Sequence, residues 1–384
     1  MKLNRWILMA AAALMLAANA HAQLPSQEEI LQSVEKVNAY FMKKWPDPTW
    51  QTHVRNKYRP SNLWTRAVYY EGLMALYTIH PVQEYFDYTY TWGEYHKWTP
   101  RYGVTTRNAD DYCCSQTYID MYRITHEWKM IQPARVNFNM LASTPQNGDW
   151  WWIDAIQMGM PGLAKMGVET GEPKYWDKMW EMYNHTRNIE GGQGLFNVKE
   201  GLWWRDHDFD PPYTEPNGRN CYWSRGNGWV YAALARVLDE IPASEAHYQD
   251  YVNDFVAMSK ALKACVREDG YWNVSLHDAS NFGGKETTGT SLFVYGMAWG
   301  IRKEILDKKE YLPLVEKAWK AMAAECIHPD TGKLGYVQGT GKEPKDGQPV
   351  AYDSEPDFED YGIGCFLLAG TEVYKLAYTP GSTK

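Results

Sequence analysis

The sequence predicts an all-α fold, an (α/α)6 barrel of six helical hairpins in a single domain. Three observations predict it. Apolar residues recur at helical spacing in about a dozen stretches. The turns between them are mostly short, so that consecutive helices pack antiparallel as hairpins. No Ser/Gly tract, charge block or Pro-rich spacer divides the 384 residues, although so long a chain exceeds the usual size of one domain. Closing the hairpins into a ring reconciles that length with one body. A helical solenoid is the alternative, but no fixed repeat period appears.

Residues 1–22 read as a signal peptide, and 23–384 as the barrel. Lys2 and Arg5 give a positive start, Ile7 to Ala18 is apolar, and Ala20-His21-Ala22 precedes a cut at Gln23. The first helix is expected over Ser26 to Met42, with Ile30, Leu31, Val34, Val37 and Phe41 on one face. Further helices are expected at 62–79, 82–95, 109–126, 133–141, 152–166, 173–187, 228–240, 248–265, 290–306, 311–325 and 358–376. Irregular passages near 190–222, 267–286 and 328–356 hold most of the Gly, Pro and Asp clusters. Loops of that length, gathered at one end of a ring, shape a pocket.

The formal charge is −8, and removing residues 1–22 deletes two cations and no acids, giving 37 − 47 = −10. That argues against a nucleic-acid partner, which calls for a basic face. It leaves room for an acidic sugar held by local cations. Six cysteines, at 113, 114, 221, 265, 326 and 365, show no metal-ligand spacing. No metal or cofactor is expected. The mature chain reads as soluble and exported, periplasmic or secreted.

Chemistry concentrates where acids meet tryptophans. Asp154 follows Trp150-Trp151-Trp152-Ile153 and opens a predicted helix. A carboxyl pressed against indoles is poorly hydrated, so its pKa rises and it keeps a proton to give. The competing role is an ordinary first-turn acid complementing the helix dipole. Asp110 and Asp111 open another helix; one can cap it, and the other is free to face the pocket as the second carboxyl that glycoside cleavage usually employs. Trp223-Ser224-Arg225-Gly226-Asn227-Gly228-Trp229 places an arginine between indoles, suited to a bidentate grip on an anion. Trp203-Trp204-Arg205-Asp206-His207-Asp208 adds Arg205 as a second carboxylate ligand and His207 as a proton shuttle or a surface histidine. Trp64 and Arg66 belong to the rim or to the core. Glu286-Thr287-Thr288 reads as a cap, with the Thr288 hydroxyl offered to the pocket. Sugar-stacking faces, a shielded acid and anion-binding arginines together suggest an enzyme acting on a uronic-acid-containing glycan.

These residues resemble a known group. Asp110-Asp111, Trp152-x-Asp154, Trp223-x-Arg225-x-x-x-Trp229, Glu286-Thr287-Thr288 and Asp360-Tyr361-Gly362-Ile363-Gly364 are similar to the pattern of glycoside hydrolase family 105, close to family 88. The resemblance spans nearly the whole mature chain. It implies an (α/α)6 barrel, no metal, and hydrolysis of unsaturated galacturonyl or glucuronyl oligosaccharides left by polysaccharide lyases. In that chemistry a C4=C5 vinyl ether is protonated at C4 and water adds at C5. The resemblance assigns Asp154 as acid/base and Asp110, or Asp111 on a one-residue shift, as the second acid. It assigns Trp152, Trp223, Arg225 and Trp229 to the sugar pocket. Rhamnogalacturonyl members carry Y-x-H-G-W-D where this chain has Trp203 to Asp208, so the histidine is replaced by Arg205 or displaced to His207. That departure favours a glucuronyl substrate. A lyase or epimerase on the same barrel, with Tyr222 as a base, and a nonenzymatic glycan-binding protein are the alternatives.

Overall fold

The computed structural model describes residues 23–378; the expected signal peptide lies outside the described residues. Twelve helices of more than one turn run through them: α1 (Gln27–Lys44), α2 (Trp64–Ile79), α3 (Gln83–Tyr95), α4 (Ser115–Thr125), α5 (Gln132–Ala142), α6 (Asp154–Thr170), α7 (Lys174–Asn188), α8 (Ser224–Glu240), α9 (Tyr248–Cys265), α10 (Thr287–Arg302), α11 (Lys308–Glu325) and α12 (Asp360–Ala377). None is long and apolar enough to cross a membrane.

The sequence sorts them into two layers. Odd-numbered helices are amphipathic: α1 buries only Ile30, Val34, Val37, Asn38 and Phe41, a stripe at helical spacing. Even-numbered helices are buried almost all round; α10 is buried from Thr287 to Ile301 and α12 from Asp360 to Val373. A helix apolar on every side belongs inside. The inner helices pack in the order α2, α4, α6, α8, α10, α12, and α12 returns onto α2. This is the expected closed ring of six hairpins.

Closure demands a close approach. A Cβ on Gly364 of α12 would collide with the Val68 carbonyl of α2, and one on Gly72 would meet the Gly364 carbonyl at 2.6 Å. Glycine at both places lets the two backbones touch.

Helix ends follow local chemistry. Ser26 and Glu29 form a capping box at α1, with Glu29 N–H donating to Ser26 Oγ at 3.2 Å and Ser26 N–H to Glu29 Oε2 at 2.8 Å. The helix expected over 109–126 is divided: a single turn, Ala109–Tyr112, precedes α4. At the division Gln116 N–H donates to the Cys113 carbonyl, a three-residue step that tightens the coil. Two small antiparallel ribbons were not expected: β1 (Thr52–Val54) with β2 (Lys57–Arg59), and β3 (Phe196–Asn197) with β4 (Leu202–Trp203). Runs of two or three residues carry too little alternation to show in a sequence. All six cysteines are free thiols.

The barrel axis is blocked part-way along. Glu71 of α2 pairs with Arg236 of α8 and accepts from Gln157 Nε2 at 2.8 Å. Gln116 Nε2 donates to the Gln157 and Met158 carbonyls at 2.9 and 3.0 Å. Behind this plug, toward the C-terminal ends of the inner helices, lies a cavity of about 490 Å³ bordered by Glu71, Asp120, Lys165, Arg236, Glu240 and Tyr295.

Replacing Gly364 with leucine forces α12 off α2 and is expected to destabilise the protein by about 3 kcal/mol, the upper range for an overpacked core. Urea unfolding followed by circular dichroism reads this as a lower midpoint; an unchanged midpoint would show that ring closure tolerates a side chain there.

Candidate active site

Each inner helix is separated from the next by one returning outer helix, so all six run in the same direction. Their N-termini converge. Arg66 at the start of α2 pairs with Asp360 at the start of α12 (3.1 Å, both buried). Trp64 stands edge-on to Trp229 of α8, with centroids 6.2 Å apart, and 5.3 Å from the Tyr361 ring. The long loops and most of the predicted site residues lie at this end. Six helix N-termini make it electropositive, the favourable end for an anion.

Asp154 is the first residue of α6 and is buried, 8% exposed. Its Oδ2 accepts from Arg205 Nε at 3.1 Å. Burial pushes its carboxyl above the ordinary aspartate value, while Arg205 and Arg225 pull the other way. Arg205 is positioned by its own segment. Asn227 of α8 clamps β4, accepting from Trp203 N–H at 2.8 Å and donating to the Trp203 carbonyl at 3.0 Å. The Arg205 carbonyl then accepts from Ile153 N–H at 3.0 Å, tying the segment to the start of α6. Asp206 pairs with Arg205 from the other side.

Asp110 and Asp111 separate cleanly. The cap of their helical turn is Asn108, whose Oδ1 accepts from Asp110 N–H at 2.9 Å, so neither aspartate caps it. Asp111 is buried and occupied: Thr106 Oγ1 donates to its Oδ2 at 2.7 Å, and Arg101 lies 3.7 Å away. Asp110 accepts no side-chain hydrogen bond from the described residues. Its carboxyl is pushed up to about 7, by burial first and then by repulsion from Asp154 and Asp111. The Asp154 charge thus disfavours ionisation of Asp110. Of the two candidates it is Asp110 that feels Asp154.

The aromatic collar is unequal. Trp150 and Trp152 are buried, and Trp150 Nε1 donates to Tyr112 Oη at 2.8 Å, which makes it structural. Trp151 is 52% exposed. Trp223 and Trp229 are fully buried; Trp223 Nε1 donates to Gln338 Oε1 at 3.0 Å.

Three expectations change. Arg225 does not offer a free fork: Nη1 donates to the Gln338 carbonyl at 2.9 Å and Nη2 to the Gly339 carbonyl at 2.8 Å. Its guanidinium lies over Trp223 (4.4 Å) and Tyr361 (5.1 Å). The bidentate grip on a substrate anion is replaced by a tether for the 338–339 loop, because buried carbonyls need donors. Thr288 is likewise not in the pocket; its hydroxyl donates to Glu286 Oε1 at 2.5 Å, and Glu286 caps α10. His207 is a surface histidine, its side chain 66% exposed and paired with Asp210 at 2.9 Å. It does not meet Asp154.

Sequence reasoning missed Gln338. It binds Trp223 and Arg225, accepts from Tyr361 through its carbonyl, and donates to the Asp346 carbonyl at 2.7 Å. It sits in a loop without periodicity, 113 residues from Arg225, and no local pattern marks it. Buried donors at this end lack protein acceptors: Arg225 Nε, Trp204 Nε1 and Trp229 Nε1. Among the described residues no three His, Cys, Asp or Glu side chains converge as a metal cage.

The sequence profile described as Glycosyl Hydrolase Family 88 matches residues 33–377. The chain belongs to that family. Among its relatives, an unsaturated 3S-rhamnoglycuronyl hydrolase of Formosa agariphila is 38% identical over 232 residues, 59% of this chain and 58% of that protein. The chain thus spans under two thirds of that curated relative's length. A solved family 88 glycosyl hydrolase from Bacteroides vulgatus superimposes with a TM-score of 0.82 at 31% identity, covering 92% of this chain and 100% of that one. A solved structure described as a polysaccharide lyase gives 0.81 at 32% identity, covering 91% and 97%. The family and the helical barrel agree with the resemblance read from the motifs.

The raised Asp110 carboxyl has a sign that can be checked. The folded protein holds a proton there that the unfolded chain releases near the ordinary aspartate value of 3.8. Stability contributed by that proton is therefore lost as pH rises from about 4 toward 7. Asp110→Asn is expected to stabilise the protein by on the order of 1–2 kcal/mol at pH 8 and by little at pH 4. Urea titrations at the two pH values measure this; an equal effect at both would place Asp110 in ordinary solvent.

Proposed function

We propose that this family 88 protein is an exported unsaturated uronyl hydrolase, removing the terminal 4,5-unsaturated uronic acid from lyase-generated oligosaccharides. The observation that carries the reading is the pair Asp110 and Asp154. A buried carboxyl, Asp154, and a half-buried one, Asp110, stand at the electropositive end of the barrel, both with raised pKa values. A proton held near neutrality is what a vinyl ether needs. Asp154 gives that proton to C4, and an oxocarbenium ion forms at C5. Asp154, now a carboxylate, takes a proton from water as the water oxygen bonds to C5. The resulting hemiketal opens, and the hemiacetal left at C1 releases the neighbouring sugar as an alcohol. The sum is addition of one water, with no redox change. Asp110, whose own carboxyl is raised beside Asp154, is the second acid that assists or orients.

Arg205 in place of the histidine of rhamnogalacturonyl members, and a relative named for a rhamnoglycuronyl substrate, support glucuronyl rather than galacturonyl specificity. The basic start, apolar run and small-residue site in residues 1–22 support export to the periplasm or beyond.

The similar structure described as a lyase supports a second reading. A lyase requires a base at C5, and Tyr222 was the sequence candidate. Its hydroxyl accepts from Asn197 Nδ2 at 2.8 Å, and burial drives it far above the ordinary tyrosine value. It is poorly placed to ionise.

Incubation with unsaturated glucuronyl oligosaccharides is expected to lower absorbance near ~235 nm as the enol ether is protonated and hydrated; a rise would establish lyase activity instead. Asp154→Asn is expected to fold normally and to lose on the order of 10²-fold or more in kcat, the usual scale for a lost general acid. Turnover close to wild type in that variant would reject the assignment.

A further inference from the structure

Trp151 is the exception in the run that precedes Asp154. It stands between two buried tryptophans, yet half its surface is exposed. Its ring lies 4.7 Å from that of Trp152, tilted by 52°. The Arg205 guanidinium is 5.9 Å from its centroid, within cation–π range. The same guanidinium holds Asp154 through Nε and Asp206 through Nη1, while Nη2 donates to none of the described residues. One arginine therefore joins an exposed indole face to the buried acid.

The path of a glycan follows from this. The unsaturated ring sits against Asp154, and the plug formed by Glu71, Gln157 and Arg236 blocks the axis behind it. The remainder of the chain runs outward, and the exposed aromatic surface three residues before Asp154 is Trp151.

We propose that Trp151 is the platform for the sugar on the leaving side of the scissile bond, with Arg205 Nη2 directed to a hydroxyl or acidic substituent of that sugar. This rests on the hydrolase reading of Asp154. The indole face supplies stacking area at small entropic cost, having two side-chain torsions. The guanidinium sets the lateral position of the sugar.

The test compares wild type and Trp151→Ala on two substrates: an unsaturated glucuronyl methyl glycoside, with no sugar beyond the bond, and an unsaturated glucuronyl disaccharide. The expected result is a loss in kcat/KM of about tenfold on the disaccharide, chiefly through KM, and at least about fivefold more than on the methyl glycoside. Trp128→Ala, an exposed tryptophan at the opposite end of the barrel, is expected to match wild type. Equal losses on both substrates, or none on the disaccharide, would overturn the proposal. If wild type leaves the alkene absorbance of both substrates unchanged, it is the hydrolase reading that falls. Calorimetric titration with the hydrogenated disaccharide then decides the platform separately: about tenfold weaker binding by Trp151→Ala supports it, and equal binding overturns it.

Discussion

A carboxyl held above the ordinary aspartate value can be neither fully hydrated nor fully paired. That constraint on Asp154 organises the end of the barrel around it. The acid is withdrawn from water, 8% exposed, yet it is not left alone, because an isolated buried charge is far too costly. Arg205 supplies a partner but divides its attention, binding Asp206 with a second nitrogen. Burial raises the Asp154 carboxyl while Arg205 and Arg225 pull it back, and Asp154 in turn raises the neighbouring Asp110. Moving any of these neighbours shifts the balance, so the surrounding segments are fixed with unusual redundancy: Asn227 clamps β4, and Arg225 and Gln338 clamp the 338–339 loop.

The larger architecture supplies the electrostatic background. Six parallel inner helices bring six positive dipole ends to one place, each equivalent to roughly half an elementary charge. A molecule with an acidic overall composition can in this way present a locally attractive surface to an anionic sugar. Acids buried at those same ends, Asp154, Glu286 and Asp360, exploit the field too. Glu286 does so as a cap for α10, and Asp360 by binding Arg66. Acids at helix starts thus serve three different ends, separated by the donors each one meets.

Much of this was legible in the residues. The ring could be read because apolar residues recur at helical spacing, the turns between helices are short and no linker divides the chain. The pairing of Asp154 with a tryptophan collar was legible because adjacent residues share a fate at a helix start. What failed were long-range relations. The Trp-x-Arg motif could not reveal that carbonyls 113 residues away would occupy Arg225. His207 looked chemical among acids, but its partner Asp210 lies on the same surface turn. Helix starts also shifted by a few residues, α8 beginning at Ser224 and α10 at Thr287, because the glycines and threonines there lack the apolar periodicity on which the prediction relied.

The charged plug of Glu71, Arg236 and Gln157 turns the barrel into a blind well. Whatever enters to reach Asp154 has to leave through the same mouth. The outward-lying part of a cleaved glycan therefore departs first, and the smaller fragment at the bottom stays until it has gone. On the proposed chemistry one turnover removes one terminal residue and no more, since the new tip carries no C4=C5 bond, and high concentrations of the longer product obstruct the exit of the shorter one.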